Sequence, residues 1–171
     1  MKNTRKIFAL MLSVVMLFMF SGCHKQNEVA LKVKDVEFTS AYYMTALINA
    51  NFEAQNKVYE SLSDEEKKSQ TSIDYFSKKI DGKKYSEWVK DTAIENLKRT
   101  AAYKILCEEN KVKLLEKVQE NATMYAAYYW SNYGESQYFE PNGVSFETYS
   151  QYLKDNVYLE SHFDIVYGKD G

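Results

Sequence analysis

Histidine, cysteine and proline are scarce in this chain, which has two histidines, two cysteines and one proline among 171 residues. It carries no GxSxG, HExxH, P-loop or dinucleotide-binding motif. His24 follows an N-terminal apolar run, and His162 is typical of a half-exposed helix residue rather than a general base. We therefore predict no catalytic residue and no cofactor in these 171 residues.

Clustered charge of one sign is also missing. No basic patch is present, which argues against nucleic acid as a partner. One acidic run, Asp64-Glu65-Glu66, is followed directly by Lys67 and Lys68, and nothing in its spacing imposes the geometry of a metal site. We interpret this run as a solvated surface and predict no metal ligands.

One apolar run near the N-terminus is long enough to consider as a membrane span. Lys2, Arg5 and Lys6 precede it, and Ile7 to Phe20 are 14 residues without a charge. As a helix, at about 1.5 Å per residue, this run spans roughly 21 Å, against a hydrocarbon core of about 30 Å. It is too short to cross comfortably and instead has the pattern of a secretory signal peptide.

The residues that end this run, Phe20-Ser21-Gly22-Cys23, resemble the lipobox of bacterial lipoproteins. The resemblance implies that 1–22 is a lipoprotein signal peptide, that Cys23 is lipidated, and that 23–28 is a tether. It also implies a lipid anchor on the extracytoplasmic face of the cell membrane. At about 0.8 kcal/mol per buried CH₂, two acyl chains hold a protein there.

The alternative for Cys23 is a buried or disulfide-bonded thiol, but no apolar sequence follows it. Once Cys23 is acylated, Cys107 has no cysteine left to pair with. Removal of 1–22 leaves 19 Lys and Arg against 24 Asp and Glu, a net charge of −5.

The rest of the chain, 29–171, is predicted to be one mostly α-helical domain with one short N-terminal strand. Truncation of this domain at its C-terminus is an alternative that the sequence leaves open. Period-two alternation predicts the strand over 29–38, and Thr39 or Ser40 can cap the first helix. Helices are predicted over 40–59, 86–110, 114–133 and from Ser145 onward, with Ser86 and Ser145 as caps. A polar loop is predicted over 61–72, and a short helix or extended segment before a turn at Asp81-Gly82.

Two helices carry more apolar residues than one packed face requires. The extra stripes are Ala41, Ile48, Phe52 and Tyr59 on the first helix, and Tyr152, Leu159, Phe163 and Val166 on the fourth. On the third helix, Leu115, Val118, Ala122, Tyr125, Ala126, Tyr129 and Tyr133 form the predicted packing face. Met124 and Tyr128 fall opposite that face. Open stripes of this kind would form an apolar binding patch, whereas the alternative is that they pack against other parts of the chain.

Three segments resemble the N-terminal region of PrsA-type foldase lipoproteins and SurA-type chaperones. The strand and first helix, VALKVKDVEFTSAYYMTAL, resemble the opening of that region, although Asp35-Val36 replaces its usual Asn-Gly turn. The stretch from Trp88 to Leu114 resembles its second long helix, and YFEPNGVSFETYSQYL resembles a later element. No counterpart of the parvulin isomerase domain, which many members carry, is present in 1–171.

The resemblance implies a helical, SurA-N-like chaperone that binds unfolded or newly secreted polypeptides. The client-binding candidates are Phe52, Tyr59, Met124, Tyr128, Tyr152, Leu159 and Phe163. Flexible methionine and amphipathic tyrosine suit a surface that accepts varied apolar segments. Two alternatives remain, namely the N-terminal part of a prolyl isomerase whose catalytic domain lies beyond residue 171, and a structural lipoprotein. We expect no isomerase activity from this chain alone.

Overall fold

The protein is mostly α-helical, as the sequence predicts. The computed structural model describes residues 27–68, 73–112, 116–132 and 134–167, with side chains up to residue 157. Its elements, in chain order, are β1 (Val29–Val33), β2 (Val36–Thr39), α1 (Ser40–Ser61), α2 (Asp64–Lys68), β3 (Lys79–Ile80), β4 (Lys83–Lys84), α3 (Tyr85–Glu109), α4 (Glu116–Asn132), α5 (Ser136–Phe139), a 3₁₀ turn (Glu140–Asn142) and α6 (Phe146–Tyr167).

The N-terminal strand is a hairpin rather than the single strand predicted over 29–38. β1 pairs antiparallel with β2, and Lys32 Nζ lies 2.8 Å from Oε1 of its cross-strand partner Glu37. Lys34 adopts a left-handed conformation with φ of 52°, which splits the run into two strands. Hairpin turns are usually marked in a sequence by a glycine, and this turn has none. The alternation of apolar and polar residues therefore predicted one continuous strand.

Helix α1 begins where the sequence predicts. Thr39 Oγ1 accepts a hydrogen bond of 3.3 Å from the backbone N–H of Tyr42, which satisfies one of the unpaired donors of the first turn. The predicted cap is thereby confirmed, and the helix runs two residues beyond its predicted end, to Ser61.

The segment predicted as a polar loop over 61–72 contains a short helix, α2, so the prediction is wrong for Asp64–Lys68. Ser63 and Glu66 form a reciprocal cap: Ser63 Oγ accepts from Glu66 N at 3.3 Å, and Glu66 Oε2 accepts from Ser63 N at 2.9 Å. The hydrogen bonds from Ser63, followed by the contact with Lys78, hold the pKa of Glu66 below its ordinary value. The acidic run lies in the first turn, where the helix dipole favours negative charge.

The turn at Asp81-Gly82 is confirmed and joins β3 to β4. Both residues have positive φ, 51° for Asp81 and 78° for Gly82, as a type I′ hairpin turn requires. Of the two predicted possibilities for the preceding segment, the extended one is present. The indole Nε1 of Trp88 donates a hydrogen bond of 3.0 Å to Asp81 Oδ2 and ties the turn to the next helix.

The later helices match their predicted positions with one change of cap. Helix α3 begins at Tyr85, so Ser86 lies inside it, and Glu87 Oε2 instead accepts from the backbone N–H of Lys84 at 3.4 Å. The cap of α6 is confirmed, because Ser145 Oγ accepts from the backbone N–H of Thr148 at 3.3 Å.

The described residues form two compact units, and the single domain expected over 29–171 stays a prediction. We call Leu47–Ile94 the middle unit, and residues 27–46 with 95–167 the terminal unit. The buried core of the middle unit includes Ile48, Ala54, Val58, Tyr85, Trp88 and Val89. That of the terminal unit includes Phe38, Tyr42, Leu97, Ala101, Phe139, Val144 and Tyr149.

Candidate interaction surface

Helix α4 packs against α6 in the terminal unit through small residues. Ala122 and Ala126 are its buried residues, and their four-residue spacing places them on one face. Alanine adds little side-chain bulk, and so this face can approach a neighbouring helix closely. A long apolar side chain is therefore not needed on the packed side of α4.

The C-terminal end of α4 is fixed by an aromatic cluster. The ring of Trp130 stacks on Phe139 with centroids 6.0 Å apart and lies 5.2 Å from Tyr149 and 5.7 Å from Phe146. The rings of Phe139 and Tyr149 are 4.8 Å apart. Since Phe139 ends α5 and Phe146 begins α6, the cluster joins three helices of the terminal unit.

The side of α4 away from this packing exposes large apolar and aromatic side chains. The exposed fractions are 67% for Met124, 61% for Tyr125, 51% for Tyr128 and 40% for Tyr129. We call these four residues the outer face of α4. The rings of Tyr128 and Tyr129 meet edge to face at 5.8 Å. Single exposed apolar residues are common, whereas a group of this size on two helical turns is typical of a binding surface.

The outer face also lacks charge. From Asn121 to Gly134 there are 14 residues without Asp, Glu, Lys or Arg, in a chain that is 27% charged. Among the described residues of that stretch, the exposed polar ones are Asn121, Ser131 and Asn132. The surface therefore presents aromatic, thioether, hydroxyl and amide groups, which suit an uncharged partner.

Met124 and Tyr128, which the sequence places opposite the packing face, are exposed, and so are Tyr125 and Tyr129, which were predicted to pack. At 100° per residue, these two tyrosines lie at the edge of the face that carries Ala122. Packing of α4 on α6 covers the alanine side and leaves both tyrosines outside. The sequence feature that could have predicted this face is the absence of charged residues from 121 to 134. An analysis of apolar periodicity alone does not take it into account.

Three other client-binding candidates lie elsewhere. Phe52 is partly buried and Tyr59 is 46% exposed, and both are in α1 within the middle unit. Tyr152 is only 4% exposed and packs with its ring 5.4 Å from that of Tyr42, so its predicted role as an open client contact is corrected. Ala41 and Ile48 are also buried, so the extra stripe of α1 is mostly closed.

The remaining site predictions fall outside what the structure describes. Cys23 precedes the first described residue, and the side chains of Leu159 and Phe163 lie beyond the described side chains. Lipidation of Cys23 and client contacts of the other two stay predictions.

A buried charged cluster also lies in the terminal unit. The carboxylate of Asp155, which is 1% exposed, accepts from Tyr42 Oη at 2.6 Å and from Gln151 Nε2 at 2.8 Å. Lys104 Nζ lies 2.5 Å from it, and the side chains of Lys104 and Gln151 both have access to water. Burial, followed by the negative charge of Asp155, raises the pKa of Tyr42. Because the buried carboxylate has three donors, we assign the cluster to the joining of α1, α3 and α6 and not to catalysis.

Metal sites and membrane spans are both missing from the described residues. No group of His, Cys, Asp or Glu side chains there has an arrangement that could hold a metal ion. Nor does any helix in these ranges have the length and apolar content to cross a membrane.

The chain was compared with protein-family models, with curated proteins and with solved structures, and none of them matches.

Proposed function

We propose that the protein is a lipid-anchored chaperone on the extracytoplasmic face of the membrane, which transiently holds unfolded exported polypeptides. The outer face of α4 is the observation that carries this proposal, since it is exposed, aromatic and free of charge. The lipobox-like residues before Cys23 and the resemblance to foldase lipoproteins support the anchor and the class of client.

The composition of the outer face suits clients of varied sequence. Methionine has an unbranched, polarizable side chain that adapts to different partners, and tyrosine combines a large apolar ring with a hydroxyl group. No fixed charge on the face selects for a charged client. An apolar segment of any unfolded chain therefore meets the chemical requirement.

The size of the face implies weak, reversible binding. Burial of roughly a few hundred Å² of apolar surface, at about 25 cal/mol per Å², yields several kcal/mol before the costs of ordering the client. This is enough for transient contact in about the micromolar range and not for a stable complex. Rapid release is what a holding chaperone requires.

The test is light scattering from a denatured reporter protein that aggregates in the presence of the purified chain from residue 24 to residue 171. We expect the unaltered chain to suppress aggregation and the Met124→Ser/Tyr128→Ser variant to suppress it less. Tyr59→Ser is the matched control, because it also replaces an exposed tyrosine but lies in the middle unit. Circular dichroism and urea unfolding establish that each variant remains folded.

Equal suppression by the folded α4 variant and the unaltered chain would remove the outer face from the proposal. A well-folded chain that fails to suppress aggregation, even at about tenfold molar excess over the reporter protein, would favour the structural-lipoprotein alternative instead. Greater loss in Tyr59→Ser than in the α4 variant would move the client surface to α1.

The anchor is tested separately by metabolic labelling with a fatty acid in bacteria. We expect the full-length chain to incorporate label and to fractionate with membranes, and Cys23→Ala to do neither. Cys107→Ala is the control, because that thiol is buried in the structure and no acylation is expected there. Equal labelling of Cys23→Ala would contradict the anchor without touching the outer face of α4.

A further inference from the structure

We infer that the outer face of α4 is also the contact between two copies of this chain, which meet through antiparallel α4 helices. This inference rests on the chaperone function proposed above. Self-association would cover the same residues that bind clients. Free and covered forms of the face then exchange as the local concentration of clients changes.

The spacing of the exposed residues is that of a helix–helix seam. Asn121, Tyr125, Tyr128 and Asn132 follow one another at intervals of four, three and four, and all are exposed. This is the alternation of a and d positions in a coiled coil. Met124 and Tyr129 lie on either side of the seam, one at each flank.

The same four positions are arranged symmetrically along the helix. The midpoint between Ala126 and Ala127 lies equally far from Tyr125 and Tyr128, and equally far from Asn121 and Asn132. In an antiparallel pair, Tyr125 of one copy therefore shares a layer with Tyr128 of the other, and Asn121 shares one with Asn132. This is the self-complementarity that a two-fold interface requires. Antiparallel α4 helices also oppose their dipoles favourably.

Charge selects this face over the rest of the surface as a place for two copies to meet. The chain has a net negative charge, and two copies repel one another wherever carboxylates face each other. The 14 uncharged residues from Asn121 to Gly134 avoid this repulsion. Asn132 Nδ2 donates one hydrogen bond within α4, to Tyr128 O at 3.1 Å. The remaining amide groups of the asparagines at both ends of the seam can pair across it and fix its register.

The area of the face sets the strength of the contact. A tyrosine contributes about 150–250 Å² when fully buried, and those of the outer face are 40–61% exposed. The face therefore offers well below the roughly 800 Å² per partner of a standard stable interface. We expect a weak dimer in solution that forms more readily when both copies are tethered to one membrane, because tethering raises their effective concentration.

The register is tested by disulfide formation in the full-length chain in bacterial membranes. Two differently tagged copies, one carrying Asn121→Cys and the other Asn132→Cys, are expressed together and oxidised. We expect the mixed disulfide to exceed either homodisulfide at least about fivefold, because a disulfide forms only between residues whose Cα atoms approach within about 7 Å. The chain without added cysteines is the background control, since Cys107 is buried.

A charge exchange separates this inference from the client surface. Tyr125→Lys/Tyr128→Glu places opposite charges in both central layers of the antiparallel pair, whereas Tyr125→Glu/Tyr128→Glu places like charges there. Each variant is introduced into both the Asn121→Cys and the Asn132→Cys chain. We expect the first variant to cross-link about tenfold more than the second, because like charges across an interface weaken it. Both variants remove the same two tyrosines, so both should lose reporter suppression alike.

The outcomes are distinguishable. Predominant homodisulfides, or no mixed disulfide above background, would overturn the antiparallel contact, and so would equal cross-linking by the two charge variants. None of these results alters the expected loss of suppression in both variants, which depends on the client surface alone. Retained suppression in both variants would instead count against the proposed function.

Discussion

The two units of the protein each bury a tyrosine whose hydroxyl group meets a polar partner on another helix, but the partners differ in charge. In the middle unit, Tyr85 Oη lies 2.9 Å from the amide oxygen of Asn51. In the terminal unit, Tyr42 Oη lies 2.6 Å from the carboxylate of Asp155, which Lys104 also contacts. The middle unit thus uses a neutral hydrogen bond, and the terminal unit uses a buried carboxylate paired with a partly exposed lysine.

This difference teaches where a single substitution matters most. A neutral pair can lose one partner at modest cost, whereas a buried charge that loses its partners retains the full penalty of its desolvation. The terminal unit also carries the outer face of α4. Its charged cluster joins α1, α3 and α6, and α6 is the helix on which α4 packs. We therefore expect the outer face of α4 to depend on the part of the protein in which a single substitution costs most.

The largest effect that we expect is unfolding of the protein at alkaline pH, when Tyr42 and Tyr85 ionise. Burial raises the pKa of Tyr42 and of Tyr85, and the charge of Asp155 raises that of Tyr42 further. The unfolded chain releases these protons near pH 10, so stability is complete below about pH 10 and falls as the pH rises beyond it. Circular dichroism and tyrosinate absorbance followed together should show ionisation of these tyrosines and unfolding in one transition. A folded protein with both tyrosines ionised would contradict the assignment.

Next in size is removal of the buried carboxylate. Asp155→Ala should lower the free energy of unfolding by about 3 kcal/mol, because it leaves the hydroxyl group of Tyr42 unsatisfied and Lys104 without its partner. Asn51→Ala, the matched change in the middle unit, should cost only about 1 kcal/mol, because Tyr85 Oη keeps the backbone carbonyl oxygen of Asn51 as an acceptor at 3.1 Å. Urea unfolding of both variants measures the difference. Equal losses would show that the charge of the cluster has no special role.

Removal of the tyrosine hydroxyl group from each hydrogen bond tests the same comparison with a smaller change in structure. Tyr42→Phe removes a donor to a charged group and should cost about 2 kcal/mol, whereas Tyr85→Phe removes a donor to a neutral amide and should cost about 1 kcal/mol. Both variants keep the ring, so packing is matched. A reversed order in thermal unfolding would mean that ring packing, and not the hydrogen bond, decides these positions.

The smallest effects concern the caps, one in each unit. Ser145→Ala should destabilise by about 1 kcal/mol, because Ser145 caps the 22-residue helix α6. Ser63→Ala should cost only about a few tenths of a kcal/mol, below the usual cap value, since α2 has five residues and none of them is buried. Chemical denaturation resolves the first and should scarcely detect the second. A larger loss in Ser63→Ala would show that α2 supports the middle unit.

Local signals made much of the fold predictable. The caps at Thr39 and Ser145, the Asp81-Gly82 turn and the approximate limits of the long helices all follow from residue types within a few positions of one another. The hairpin at Lys34 did not, because a lysine in a left-handed turn carries no sequence signal. The division into two units also depends on contacts between distant residues, which periodicity does not encode.

The candidate surface was predictable only in part. Helical periodicity placed Met124 and Tyr128 outside, and they are exposed. It also placed Tyr125 and Tyr129 inside, because it counts a tyrosine beside an alanine as part of one apolar face. Which side of that face the neighbouring helix covers is decided by the tertiary structure. For the same reason Tyr152 looked available in the sequence and is buried against Tyr42.

Each unit contains one of the two tryptophans of the chain, so tryptophan fluorescence can follow the unfolding of each unit separately. Trp88 lies in the middle unit, where its indole nitrogen contacts Asp81 and Lys57 Nζ lies 5.6 Å from its ring centre. Trp130 lies in the terminal unit among aromatic side chains, with the ring of Tyr149 at 5.2 Å. With one of them replaced by phenylalanine, the fluorescence of the other reports a single unit. Differing emission midpoints from the two single-tryptophan proteins would show that the units melt in separate steps.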